Sequence, residues 1–135
     1  MSFLVRFVRT ALLIALLASA CTDSTPTPTP TPPPSLNTSL WMDFPTIRAG
    51  RPQSANVVVN DPTGHPVPGG TAILVIQSTR YRQTYTLPLT DSEGRSRIDI
   101  PLPPITANQT FTVTVTVVDQ SGHWDEAVTT FEVYP

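Results

Sequence analysis

The chain has 135 residues, a formal net charge of −2, sixteen prolines, six glycines and one cysteine. One cysteine excludes an internal disulfide framework, and the proline load excludes long helices. Eight arginines, no lysine and ten acidic residues leave no basic track for a phosphate backbone, which excludes nucleic acid as a partner.

Arg6 and Arg9 precede an apolar stretch, Thr10–Ala20, with small residues at its end, the pattern of a secretory signal. From Ala11 to Ala20 there are ten uncharged residues, well short of the roughly 20 that a membrane-spanning helix needs. The run Leu17-Ala18-Ser19-Ala20-Cys21 resembles the processing box of bacterial lipoproteins, although Ala18 stands where that pattern prefers leucine. The resemblance implies that Cys21 becomes the lipidated first residue of the mature chain. It also implies export and attachment to the cell membrane or outer membrane, with the remainder facing the extracytoplasmic side. An ordinary secreted protein with a cysteine at its cleavage site is the plainer reading. The expected division is a signal peptide over 1–20, a lipid-anchor cysteine and tether over 21–35, and one domain over 36–135.

Residues 22–35 are Thr-Asp-Ser followed by Thr-Pro repeats, Pro32-Pro33-Pro34 and Ser35. They have almost nothing to bury and lack a backbone donor at every proline, so extended polyproline II is expected, reaching up to roughly 40 Å. The segment reads as a disordered spacer; its threonines are also candidates for O-linked sugar.

Beyond Leu36 the periodicity is two. Leu40, Met42 and Phe44 alternate over 39–44, and Ala55, Val57 and Val59 share one face of 54–60. Thr71–Gln77 is nearly all apolar and suits a central strand, with Ala72, Leu74 and Ile76 expected inward, although Ile73 and Val75 leave the opposite phase open. Tyr85, Leu87 and Leu89 are expected inward on 83–89, and Ile98, Ile100 and Leu102 on 96–102. Phe111-Thr112-Val113-Thr114-Val115-Thr116-Val117 alternates large apolar groups with threonine, the pattern of a half-buried antiparallel strand. Phe131 and Val133 face inward on a last strand, 127–134. Asp61-Pro62-Thr63-Gly64, Asp91-Ser92-Glu93-Gly94 and Asp119-Gln120-Ser121-Gly122 each set aspartate three residues before glycine, the signal of a tight reversal. The expected fold is all-β, a sandwich of about seven antiparallel strands.

Val57–Ala72, running through Asn60-Asp61-Pro62-Thr63-Gly64-His65-Pro66-Val67-Pro68-Gly69-Gly70, resembles bacterial Ig-like surface modules of the invasin and intimin kind, and equally macroglobulin-type sandwich repeats. Thr90-Asp91-Ser92-Glu93-Gly94-Arg95 is similar to their second turn signature, and Phe111–Asp119 to their late strand. The resemblance covers about residues 50–134 and implies an immunoglobulin-like β-sandwich used as a stalk, spacer or adhesion module.

With 54–60, 71–77, 83–89, 96–102, 111–118 and 127–134 as strands B to G, the loops 61–70, 90–95 and 119–126 fall at one end. The candidate binding surface there is His65, Asp91, His123, Trp124 and Asp125. Trp124 in Gly122-His123-Trp124-Asp125 either caps the core or stacks on a sugar ring or protein partner. Asp61, Asp91 and Asp119 carry the oxygen donors calcium takes, without the spacing of a dedicated loop, and read as turn formers. His65 and His123 lack a third ligand for zinc. No metal or other cofactor is expected. Nor is catalysis, since no serine or second cysteine sits in a nucleophile context and a sandwich of this size seldom encloses a cleft with positioned acid–base groups. Two functions follow as expectations: a non-enzymatic, membrane-anchored surface lipoprotein, or a carbohydrate-binding accessory domain using loop aromatics. By the usual topology the tether joins at the end bearing these loops.

Overall fold

The computed structural model describes residues 28–29 and 35–135. The signal segment, the candidate lipidation residue Cys21 and the tether apart from Pro28, Thr29 and Ser35 lie outside the described residues.

The strands are β1 (Asn37–Met42), β2 (Thr46–Arg48), β3 (Gln53–Asn60), β4 (Thr71–Gln77), β5 (Arg82–Thr86), β6 (Arg95–Ile100), β7 (Gln109–Val118) and β8 (Trp124–Tyr134). They form a three-stranded sheet, β1-β3-β6, and a five-stranded sheet, β2-β8-β7-β4-β5. A single apolar cluster drawn from both sheets forms the core. On β7 the alternation is complete: Phe111, Val113, Val115 and Val117 are buried, while the threonines between them are half-exposed. Ala55, Val57 and Val59 of β3 and Ala72, Leu74 and Ile76 of β4 are also buried. Phe111 and Phe131 are register partners and stack with centroids 5.3 Å apart, while Tyr81 meets Phe111 edge-on at 5.7 Å.

The structure corrects the expected architecture in three places. Among the described residues there are eight strands rather than about seven, and β2 runs parallel to β8. Pro45, which has no N–H to donate, ends the β1 pairing; its carbonyl accepts the Glu132 N–H at 2.9 Å, and the chain crosses to the other sheet. Phe44 is therefore 50% exposed instead of inward. The buried Gln53 side chain holds this crossing, donating to the Phe44 carbonyl at 2.7 Å and accepting the Phe44 N–H at 3.2 Å.

The segment taken as strand D is shorter than expected, ends at Thr86 and pairs with β4 at the edge of the five-stranded sheet. Past Pro88 the inward position passes from Leu89, which is 61% exposed, to Thr90, which is buried. The Thr90 hydroxyl donates to the Val67 carbonyl at 2.6 Å and accepts the Gly70 N–H at 2.7 Å, tying the 61–70 crossover to the 87–94 connection.

Candidate functional site

The three Asp-x-x-Gly signals close into the same five-residue turn. In Asp61–His65, Asp91–Arg95 and Asp119–His123, Oδ1 of the aspartate accepts the N–H groups of the third and fifth residues at 2.8–3.0 Å. The glycine N–H returns to the aspartate carbonyl, and the aspartate N–H donates to the carbonyl of the fifth residue. The backbone brings these loops to one end, as expected: Val59 N–H donates to the Gly94 carbonyl, and Gly69 N–H to the Thr90 carbonyl.

The side chains proposed for binding there are divided among structural tasks. His65 Nδ1 lies 2.7 Å from Thr63 Oγ1 and 3.6 Å from Asp61 Oδ2, and His123 Nδ1 lies 2.8 Å from Asp119 Oδ2. Each histidine thus faces its own turn. Asp91 is exposed, with its carboxylate turned into its own loop. Trp124 opens β8 half-buried, and its carbonyl accepts the Ser35 N–H at 2.9 Å. Asp125 Oδ2 accepts the Thr38 N–H at 2.7 Å. The chain therefore joins the domain at the turn-bearing end, against Trp124 and Asp125. Among the described residues no group of three or more His, Cys, Asp or Glu side chains could hold a metal ion. No described helix is long and apolar enough to cross a membrane.

Burial pushes the Asp119 carboxyl up, but hydrogen bonds from the His123 ring and from the His123 and Ser121 N–H groups outweigh it, leaving the group below the ordinary carboxylate value. A carboxyl depressed on folding stabilises the fold above its unfolded pKa of about 4, and that contribution disappears as pH falls through the lower folded value. Asp119→Asn keeps an acceptor for the turn without the ionised form. Urea midpoints at pH 7, 4 and 2.5 should therefore fall less steeply for the variant than for the unaltered chain; equal acid losses would contradict this role.

The outer face of the three-stranded sheet carries a polar lattice in register: Asp43 beside Ser54 and Asp99, Trp41 beside Asn56 and Arg97, and Ser39 beside Val58 and Arg95. Arg97 donates to Asp43 at 2.6 Å, Ser54 at 3.0 Å and Asn56 at 3.2 Å, and Asn56 donates to Asp43 at 2.7 Å. The Asn56 bond foremost, with Arg97 and Ser54 against a smaller opposing effect of burial, holds the Asp43 carboxyl low. Arg95 is paired with Glu93 at 3.1 Å. These groups satisfy one another around a hollow of about 220 Å³ beside Trp41.

At the other end of the molecule a hollow of about 550 Å³ is lined by Phe44, Arg48, Arg51 and Tyr134, with Thr46, Ile47 and Pro52. Sequence reasoning missed it. Alternation assigned Phe44 to the core, and β2 is too short to register as a periodic element. The usable signal was the outward phase of Tyr134, next to Val133, together with two arginines spaced between Pro45 and Pro52.

The chain matches no known protein family and no curated protein sequence.

Proposed function

We propose that the chain is an exported lipoprotein, anchored through an acylated Cys21, whose Ig-like β-sandwich serves without catalysis as a surface interaction or structural module. The observation that carries this reading is the order of parts. In the sequence a run resembling a processing box ends at Cys21, a proline-threonine stretch follows after Thr22-Asp23-Ser24, and the segment that packs as a two-sheet body comes next. The Ig-like reading is supported by the strand order, with β1-β3-β6 standing where strands A, B and E do and β8-β7-β4 where G, F and C do. Two features at Ser35 suit a tethered body. The Ser35 and Thr38 N–H groups are bonded to β8, and β1 pairs with β3 along its whole length, so tension on the tether is shared by both sheets.

One acyl chain gives only weak, reversible membrane binding, whereas two or more hold firmly at about 0.8 kcal/mol per buried methylene. The full chain, produced in a bacterium that processes lipoproteins, should partition with membranes and into the detergent phase, and Cys21→Ser should move it to the aqueous fraction. Retention in the membrane of a Cys21→Ser chain from which residues 1–20 have been removed would overturn the assignment.

A further inference from the structure

The charges of the domain are sorted by end. The turn-bearing end holds Asp61, Asp91, Glu93, Asp119, Asp125 and Glu126 against Arg95, whereas the opposite end holds Arg48, Arg51, Arg80 and Arg82. Of the acids on that far side, Asp43 is bonded to Arg97 and Asp99 lies 3.9 Å from the same guanidinium, while Glu132, register partner of Thr46, flanks the hollow without an ion pair to either arginine. Among the described residues neither Arg48 nor Arg51 makes an ion pair. The Arg51 N–H closes onto the Arg48 carbonyl at 3.2 Å, and this turn delivers both side chains to one hollow of about 550 Å³. Two aromatic rings complete the wall, Phe44 at 50% and Tyr134 at 43% exposure.

We propose that this hollow binds an acidic saccharide, its carboxylate held by Arg48 and Arg51 and its ring faces by Phe44 and Tyr134. A guanidinium pair without acidic partners favours an anion and matches carboxylate geometry. Exposed rings supply flat apolar surface for the carbon face of a sugar, and the volume lies in the range of small-ligand sites. A peptide added as a strand is the competing occupant, but β2 has three residues and its Arg48 carbonyl is already taken, so this edge offers little for strand pairing. The site lies at the end of the domain away from Ser35. Its chemistry does not depend on the anchor.

The test uses the full chain in a detergent without a sugar head group, applied to an array of uronate- and sialate-bearing oligosaccharides and their neutral counterparts. Acidic glycans should be retained over neutral ones, more weakly as salt is raised. Arg48→Gln combined with Arg51→Gln should weaken binding about tenfold or more, with an unchanged melting temperature because both side chains are exposed. Tyr134→Ala should weaken it without changing the salt dependence, and Arg95→Gln, at the opposite end, should bind like the unaltered chain. The proposal is overturned if no acidic glycan is retained, if neutral glycans bind equally, if the double glutamine variant binds normally, or if polyglutamate binds as tightly as the glycans. Membrane partition of the same preparation reports on Cys21 separately, so either reading can fail alone.

Discussion

Gly94→Ala is expected to destabilise the domain by about 3 kcal/mol or more, while the matching change at Gly122 costs about 1 kcal/mol. Both glycines are the fourth residue of the same turn and both have positive φ, 72° and 85°. They differ in what surrounds them. A Cβ on Gly94 would lie 2.3 Å from the Val59 carbonyl oxygen and 3.2 Å from the Val67 nitrogen, whereas one on Gly122 meets nothing within 4 Å. The atoms at Gly94 are backbone of β3 and of the crossover, and the Val59 N–H donates to the Gly94 carbonyl at 2.9 Å. Relief thus requires moving a strand or breaking that bond. At roughly 4–8 °C per kcal/mol for a domain of this size, Gly94→Ala should lower the melting temperature by more than twice the loss at Gly122. Equal losses would mean that the close approach of the 91–95 turn to β3 does not exist in solution.

The second large effect is in the core. Phe111→Ala should cost about 3–5 kcal/mol, because the inner faces of two sheets cannot collapse onto the space the ring leaves. Phe111 is fully buried, stacks on Phe131 at an interplanar angle of 14° and receives the edge of Tyr81. Phe111→Leu should lose about 1 kcal/mol. Since Phe111 and Phe131 fill one volume, the double alanine variant should lose less than the sum of the single ones in urea unfolding. Strict additivity would separate the two rings and contradict the stacking.

How far the sequence reveals this molecule depends on how local each determinant is. The β7 strand was legible because Phe111 to Val117 repeats one alternation without interruption; β4 was legible as an apolar strand but not in its phase, because Ile73 and Val75 are as apolar as Ala72, Leu74 and Ile76, and the structure buries the latter three. The turns were legible because aspartate and glycine act within five residues, and the structure extends each signal to the N–H of the fifth. Phe44 and Leu89 were misplaced for a common reason. Each lies beside a proline that stops the pairing, Phe44 just before Pro45 and Leu89 just after Pro88, and outside the paired strands alternation no longer reports which side faces the core. The inward polar positions, Gln53 and Thr90, were invisible because their partners, Phe44, Val67 and Gly70, are backbone groups in other segments.

The candidate site was legible only in part. His65, Asp91, His123, Trp124 and Asp125 do sit at one end, as turn chemistry dictates. What the sequence concealed is that Asp125 and the Trp124 carbonyl hold the incoming chain, and that the Arg48 and Arg51 side chains meet across a turn beside two aromatics from distant segments.

Anchoring through an acylated Cys21 is the central proposal, because the role proposed for residues 22–35 as a tether depends on it. The most direct measurement is the intact mass of the membrane-extracted protein with sequencing of its amino terminus. The predicted result is a chain beginning at Cys21 with a mass increment for two or more acyl chains. A chain that begins elsewhere, or at Cys21 with a free thiol, would contradict it.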